Sequence, residues 1–208
     1  MVGILLAAGF SRRFGSADKL LQLLPNGRPI ALAAAEHLIQ AIPNSIAVLR
    51  AENTALAKLL ANAGLKVIFC NENEQEMADS LTAAIRFSAS LFSTGLEVAN
   101  DGFVIALADM PYIKPETICA VANKMTDGAS IVIPTFRNQR GHPVGFSTKF
   151  RSDLESLQGD EGARSIIKRY GDEIYLLPTD DAGILADIDT PADLTQSHST
   201  QPDSTASN

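Results

Sequence analysis

Small and cationic residues follow the first apolar run of the chain, residues 2–8, which predicts a buried strand. The loop after this run combines Gly9, Ser11 and Gly15 with Arg12, Arg13 and Lys19. Small side chains leave backbone N–H groups open to a ligand and the cations add positive charge, a combination suited to phosphate. The chain as a whole is acidic, with a formal net charge of -7. A polyanion would therefore be attracted to this basic segment and repelled by most of the remaining surface. The spacing matches neither the G-x-G-x-x-G dinucleotide motif nor a Walker loop.

A carboxylate stands at the end of a later apolar run. Residues 103–108 are apolar and Asp109 follows them directly. In open α/β sheets ligands bind at the carboxyl ends of the strands. Mg²⁺ prefers one or two carboxylates together with phosphate oxygens, so Asp109 is a candidate metal ligand. The competing interpretation is an Asp that caps a helix or lies in a loop.

A second acidic pair, Asp187 and Asp189, lies within and just after a predicted short strand at residues 185–188. Residues two apart on a strand share a face, so both carboxylates would point into one site. A helix that opens at Pro191 is the competing explanation for this acidic segment. Either carboxylate qualifies as a second metal ligand.

Two further segments carry groups suited to an anionic or heteroaromatic ligand. In one, Gly141 is expected to allow an unusual backbone turn, while Arg140 and His142 offer hydrogen bonds. In the other, Arg164 lies about one turn into a predicted helix, from which it would reach a phosphate. The alternatives are an ordinary hairpin turn in the first segment and a surface ion pair between Asp160 and Arg164 in the second.

The elements that would position these residues alternate along the chain. Strands are predicted at residues 2–6, 45–49, 66–70, 103–107 and 130–134, and helices at 30–41, 54–63, 80–92 and 115–125. Later strands are predicted within 141–146, 173–176 and 185–188, with helices at 148–157, 162–170 and from Pro191. Apolar strands without polar alternation are typical of a sheet covered on both faces. The order therefore predicts a three-layer α/β/α sandwich with a doubly wound, mostly parallel sheet, which is a Rossmann-like architecture.

Composition limits the class of protein. A chain of 208 residues with 46% hydrophobic content predicts one domain, residues 1–194, and the polar residues 195–208 predict a disordered tail. The negative net charge of the chain argues against nucleic-acid binding, which needs a basic surface. Cys70 and Cys119 lack metal-ligand spacing and predict core thiols in a reducing compartment. No leader pattern or membrane span is evident, so we expect a soluble cytoplasmic protein.

Five motifs together resemble one family. Residues 6–19 match L-A-A-G-x-S-x-R-x-G-x-x-x-K, followed by A-D-M-P at 108–111, R-G-H-P-V at 140–144, G-D-x-G-A-R at 159–164 and D-I-D-T-P at 187–191. The chain resembles the MobA-like NTP transferases over residues 2–194, and within them it is most similar to the molybdopterin cytidylyltransferases. This resemblance implies a nucleotidyltransferase fold.

The resemblance also implies roles for individual residues. Nucleotide binding is expected at Leu6, Ala7, Ala8, Gly9, Ser11, Arg13, Gly15, Lys19 and Ser80. Catalytic roles are expected for Arg13, Lys19 and Asp109, and Mg²⁺ would be held by Asp109 and Asp189. Acceptor binding is expected at Arg140, Gly141, His142 and Arg164. Near Ser80 the sequence departs from the family, because Glu76 stands where a glycine is usual.

The implied reaction transfers CMP from CTP to the terminal phosphate of molybdopterin or molybdenum cofactor and releases pyrophosphate. The product would pass to a client molybdoenzyme in a transient contact. Three alternatives stay open: a GTP-dependent guanylyltransferase, whose members usually read L-A-G-G where this chain has L-A-A-G; a transferase for sugar or alditol phosphates; and a non-catalytic carrier of the cofactor.

Overall fold

One mixed sheet of eight strands organises the computed structural model, which describes residues 1–9, 18–70, 77–92, 102–159 and 162–195. The strands are β1 (Val2–Leu6), β2 (Ser45–Arg50), β3 (Lys66–Cys70), β4 (Gly102–Leu107), β5 (Ile131–Phe136), β6 (Gln139–Arg140), β7 (Val144–Ser147) and β8 (Ile174–Pro178). Their order is β3-β2-β1-β4-β7-β5-β6, and β8 pairs with β5. Neighbours among β1 to β4 are parallel, whereas β7 runs antiparallel to both β4 and β5.

The winding of the sheet reverses at β1. The chain first moves outward through β2 and β3 and then returns to add β4 on the other side of β1. Leu6 at the end of β1 is in register with Leu107 at the end of β4, and the Ala108 N–H donates to the Leu6 carbonyl at 3.1 Å. The loops after both strands therefore leave the sheet side by side, at the kind of crevice where open α/β sheets bind ligands.

Helices cover both faces of the sheet. They are α1 (Ile30–Ala41), α2 (Thr54–Asn62), α3 (Met77–Phe92), α4 (Pro115–Thr126), α5 (Arg151–Glu155) and α6 (Arg164–Arg169). Buried residues of α1, α2 and α4 share one apolar cluster, and those of α3, α5 and α6 share another. Successive strand residues alternate between the clusters, with Leu5 in the first and Ile4 in the second, because side chains of a strand point to opposite faces. The predicted three-layer α/β/α sandwich is confirmed.

Most of the predicted elements are confirmed with small shifts of their ends. Helix α1 has the predicted bounds, and the first four strands agree within a residue at each end. Helix α3 begins at Met77, earlier than predicted. The helix predicted at 148–157 is shorter, since a 3-10 turn at Thr148–Phe150 precedes α5.

The prediction is wrong at residues 185–188. This segment is not a strand, and within the described residues 191–195 the predicted helix is replaced by a 3-10 turn at Asp193–Thr195. Ile184, Ala186 and Ile188 alternate as buried residues, which explains the strand-like pattern. Their backbone groups bond elsewhere, however, because the Ala186 N–H donates to Gly183 and the Ile188 N–H donates to the Asp109 carbonyl at 2.9 Å.

Some predictions fall outside the described residues. Residues 196–208 of the predicted tail are among these, so the tail and the domain boundary at residue 194 stay predictions. In the part of the chain that the structure describes, none of the helices has the length and apolar character needed to span a bilayer.

Candidate functional site

Three charged side chains meet at the crevice beside β1 and β4. The Lys19 Nζ lies 2.8 Å from Asp109 Oδ2 and 3.2 Å from Asp189 Oδ1. Lys19 follows the first loop, Asp109 follows β4, and Asp189 comes from the segment after β8. Residues that are 90 and 170 positions apart in the sequence thus form one cluster.

Lys19 is held by a short, well-capped turn. It begins a 3-10 turn, Lys19–Leu21, whose N-terminal cap is Asp18. The Asp18 carboxylate accepts the Leu20 N–H at 3.0 Å and also contacts the Asn53 side chain. Because Leu20 is buried, the turn is anchored to the core and the Lys19 stem projects from a fixed point.

The environment of Lys19 favours its charged form. Burial by itself lowers the pKa of the ammonium. The hydrogen bonds and negative charges of Asp109, and then those of Asp189, outweigh burial and raise the pKa above its ordinary value. The Lys19 side chain is therefore positively charged at neutral pH.

The backbone fixes the two carboxylates relative to each other. The Asp109 carbonyl accepts the Ile188 N–H, which ties the end of β4 to the segment that carries Asp189. The Asp193 carboxylate accepts the N–H groups of Asp189 at 3.0 Å and Thr190 at 2.7 Å. Asp189 thus contacts the Lys19 side chain, whereas Asp187 is exposed to solvent.

The pair of carboxylates is suited to Mg²⁺. The Asp109 side chain is 25% exposed and that of Asp189 is 42% exposed, so both are open to ligands from solution. Among the described residues no group of three or more His, Cys, Asp or Glu side chains is arranged to enclose a metal. Two hard oxygen donors fit an ion that keeps its remaining positions for water and phosphate.

Part of the predicted nucleotide loop is described. Leu6, Ala7, Ala8 and Gly9 continue directly from β1, and the Ala7 N–H donates to the Val48 carbonyl at 2.9 Å. A Cβ built at Gly9 has no heavy atom of the described chain within 4 Å, and the residue is not in the left-handed region. Among the described residues, neither packing nor the backbone angle requires glycine at this position.

Other predicted nucleotide ligands are outside the described residues or stand apart. Ser11, Arg13 and Gly15 lie outside the described ranges, as does Glu76. Ser80 is only 5% exposed, and its hydroxyl lies 3.3 Å from the Cys70 Sγ. Its contact with a nucleotide stays a prediction.

A cavity of about 360 Å³ opens on the α3 and α6 side of the sheet. All of the predicted acceptor residues line it: Arg140, Gly141, His142 and Arg164. Its other walls are apolar and include Leu81, Ile133, Phe146 and Ile167. Leu6 and Leu107, the last residues of β1 and β4, also line it, so the cavity and the charged cluster share the ends of the same strands. This volume is in the range of small-molecule sites.

The polar groups of the cavity come from separate elements. Arg140 lies in β6, which pairs with β5 through a two-residue turn at Arg137 and Asn138, both with positive φ. Arg164 begins α6. Burial lowers the pKa of His142, so its imidazole is neutral at pH 7, and its buried Nδ1 has no hydrogen-bond partner among the described residues. The cavity therefore combines two cations with one neutral ring.

Gly141 is required for a different reason from the predicted one. Its φ is not left-handed, so the backbone angle at this residue does not call for glycine. Instead, a Cβ at this position would lie 2.3 Å from the Ile184 carbonyl oxygen. The close approach accompanies two hydrogen bonds, from the Gly141 N–H to Pro134 at 2.9 Å and from the His142 N–H to Ile184 at 3.0 Å.

We expect Gly141→Ala to destabilise the protein by about 1 to 3 kcal/mol, because the methyl group must push backbone apart. Urea denaturation measures the free energy of unfolding. Gly171→Ala is the matched control, since a Cβ there has nothing within 4 Å in the described chain and φ is not left-handed. Equal stability of the two variants would show that Gly141 tolerates a side chain.

Sequence reasoning missed two residues that build the site. Asp18 caps the turn of Lys19, and Asp193 holds the segment of Asp189. Each leaves a local signal. Asp18 directly precedes its turn, and Thr190 and Asp193 have the spacing of a capping box.

Comparison with known proteins identifies the family of this chain. The family model described as "MobA-like NTP transferase domain" matches residues 3–174. The chain belongs to this family. It is a nucleotidyltransferase of the MobA-like type, and the family predicted from its motifs is confirmed.

Several relatives cover much of this MobA-like transferase. Purine catabolism protein PucB of Bacillus subtilis is 28% identical over 200 residues, which are 92% of each chain. A probable molybdenum cofactor guanylyltransferase of Natranaerobius thermophilus is 31% identical over 134 residues, 63% of this chain and 58% of the relative. The structure of Rv0371c from Mycobacterium tuberculosis gives a TM-score of 0.77 at 25% identity and covers 92% of this chain and 93% of that one. Rv0371c has also been solved in complex with manganese, with a TM-score of 0.73 at 24% identity over 92% of this chain and 94% of that one.

Proposed function

We propose that this transferase moves CMP from CTP to the terminal phosphate of a molybdopterin-type cofactor and releases pyrophosphate. The observation that carries the proposal is the position of the Lys19, Asp109 and Asp189 cluster. It lies at the ends of β1 and β4, and the cavity that holds Arg140, His142 and Arg164 reaches the same strand ends. One crevice thus offers a nucleotide side and an acceptor side.

The nucleotide side would act through positioning and charge. The phosphates of CTP lie along the loop that begins at Gly9, with Arg13 on the β- and γ-phosphates. The Lys19 ammonium neutralises charge that develops at the α-phosphate as pyrophosphate leaves. In-line attack of the acceptor phosphate on the α-phosphate of CTP, with pyrophosphate as the leaving group, needs no covalent protein nucleophile, because orientation and charge stabilisation supply the rate.

Asp109 and Asp189 would hold the divalent ion in this proposal. A bound Mg²⁺ would supply charge neutralisation and orientation of phosphate oxygens. The exposure of both carboxylates and the manganese bound by the structural neighbour Rv0371c support this assignment.

The acceptor side matches a ring that carries phosphate. The apolar walls of the cavity cover the faces of a heterocycle, and the neutral His142 hydrogen-bonds its edge. Arg140 and Arg164 pair with anionic groups of the acceptor. We propose that the product is then handed to a client molybdoenzyme in the cytoplasm.

A guanylyltransferase is the second candidate, because the Natranaerobius relative is named as one. A non-catalytic carrier of the cofactor is the less favoured alternative. A protein that only carried the cofactor would not need the cluster of Lys19, Asp109 and Asp189, which is suited to a metal and to phosphate.

We expect CTP to be preferred over GTP by about tens-fold in kcat/KM, since one methyl group in a pocket is worth about 1 to 3 kcal/mol. The methyl group of Ala8 packs toward the second apolar cluster and would crowd a purine that approaches the end of β1. Ala8→Gly should narrow the preference. Ala7→Gly is the control, because Ala7 belongs to the first cluster on the opposite face.

The assay is pyrophosphate release with Mg²⁺, molybdenum cofactor and either nucleotide. Release that depends on the cofactor and favours CTP supports the proposal. Equal kcat/KM for CTP and GTP would favour the guanylyltransferase. Binding of cofactor without release of pyrophosphate from any nucleotide would favour the carrier.

A further inference from the structure

The Lys19 ammonium occupies the position between the two carboxylates to which we assign the metal. It contacts one oxygen of each, Asp109 Oδ2 at 2.8 Å and Asp189 Oδ1 at 3.2 Å. An ion held by the same two oxygens would take the place of the ammonium. Lys19 and the metal therefore compete for one position in this conformation.

Two cations at one pair of carboxylates repel each other strongly. The Lys19 side chain is only 11% exposed, so water screens such repulsion poorly. Metal binding thus requires the ammonium to move away from both carboxylates. Moving a largely buried ammonium without a new anionic partner is unfavourable.

The phosphates of a nucleotide would supply that partner. Lys19 carries its charge on a flexible four-carbon stem, and its backbone is anchored by the capped turn of Asp18. The side chain is able to swing while the turn stays in place. A phosphate in the crevice then pairs with the ammonium and frees the carboxylate oxygens.

We propose that Lys19 occupies the metal site in the nucleotide-free protein and leaves it when nucleotide phosphates bind, so that metal and nucleotide bind cooperatively. This inference rests on the proposed function, specifically on Asp109 and Asp189 as metal ligands. It adds a second role to Lys19, as a placeholder cation. The coupling is reciprocal, because the nucleotide raises the affinity for the metal by the same factor by which the metal raises the affinity for the nucleotide.

The test is a titration of the nucleotide-free protein with Mn²⁺, in which electron paramagnetic resonance measures the free ion. We expect Lys19→Met to bind Mn²⁺ about tenfold more tightly than the wild type, because a competing charge is removed. Lys19→Gln provides a second neutral variant, and circular dichroism verifies that both fold. Lys124→Met is the matched control, since Lys124 lies on α4 and pairs with Asp127 instead.

A double variant, Lys19→Met with Asp109→Asn, distinguishes the placeholder role of Lys19 from the metal assignment at Asp109. Loss of the gained affinity in the double variant would place the Mn²⁺ at Asp109. Equal or weaker binding by both Lys19 variants, with binding still sensitive to Asp109→Asn, would overturn the placeholder role alone. Binding that ignores Asp109→Asn in every background would instead overturn the metal assignment in the proposed function.

The wild type provides a second measurement of cooperativity. Its affinity for Mn²⁺ should rise when the α,β-methylene analogue of CTP is present, after correction for ion bound by the analogue alone. The same analogue should change the affinity of Lys19→Met much less. Equal effects of the analogue on both proteins would contradict the coupling through Lys19.

Discussion

Asp109→Asn is expected to lower kcat/KM for nucleotidyl transfer by about a thousandfold, at the upper end for loss of one preorganised electrostatic group. Asparagine keeps the size of the side chain but removes the charge that pairs with Lys19 and that we assign to the metal. The fold should persist, because the tie between β4 and the segment of Asp189 runs through the Asp109 carbonyl and not its side chain. Steady-state release of pyrophosphate measures the effect, and circular dichroism verifies folding.

Two comparisons make this result specific. Asp127→Asn, on the exposed C-terminal cap of α4, should leave activity near the wild-type value. Asp189→Asn should also lose activity, whereas Asp187→Asn should lose little because its carboxylate is exposed and Asp189 is the one that contacts Lys19. Near-normal turnover by a folded Asp109→Asn protein would refute the metal assignment.

Lys19→Met should reduce kcat/KM by about 100-fold to 1000-fold, equivalent to about 2.7 to 4 kcal/mol of transition-state stabilisation. The raised pKa of Lys19 means that the ammonium is charged throughout the neutral range, so the loss should not depend on pH between 6 and 9. Methionine preserves the length and apolar character of the stem. The expected defect therefore reports the charge and not the packing of the turn.

Lys19→Arg and Lys124→Met complete this experiment. Arginine keeps the charge but places it on a wider planar group, so only partial recovery is expected. Lys124→Met removes a half-buried lysine whose ion pair with the exposed Asp127 contributes little. If Lys19→Met retains wild-type kcat/KM for the nucleotide, Lys19 is not part of the catalytic machinery.

Local sequence patterns predicted most of the fold. The run of residues 2–6 and the helical pattern of 30–41 were sufficient to locate β1 and α1, because a short continuous apolar run and an apolar repeat of about 3.6 residues are different patterns. The pattern failed at 185–188. Alternate burial there satisfies the side chains, but the backbone pairs with a loop carbonyl and not with a strand, which no local period reveals.

For the site, too, the sequence predicted some features and missed others. The chemistry of Lys19, Asp109 and Asp189 was readable from residue types and from the ends of apolar runs. The choice of Asp189 over Asp187 as the carboxylate beside Lys19 depends on the N–H groups of Asp189 and Thr190, which donate to the Asp193 carboxylate, and the motif alone does not specify these hydrogen bonds.

The sequence by itself determined the family, most of the order of strands and helices, and the residue types available at the crevice. These are local properties, since periodicity and motifs are carried by neighbouring residues. Only the tertiary structure decided that Lys19 lies between two carboxylates far away in the chain, and that Arg140, His142 and Arg164 line one cavity. It also decided that Gly141 is needed for its contact with Ile184. The physical reason is that these contacts depend on how the ends of strands and loops are brought together by packing on both faces of the sheet, and such long-range distances leave no local trace in the sequence.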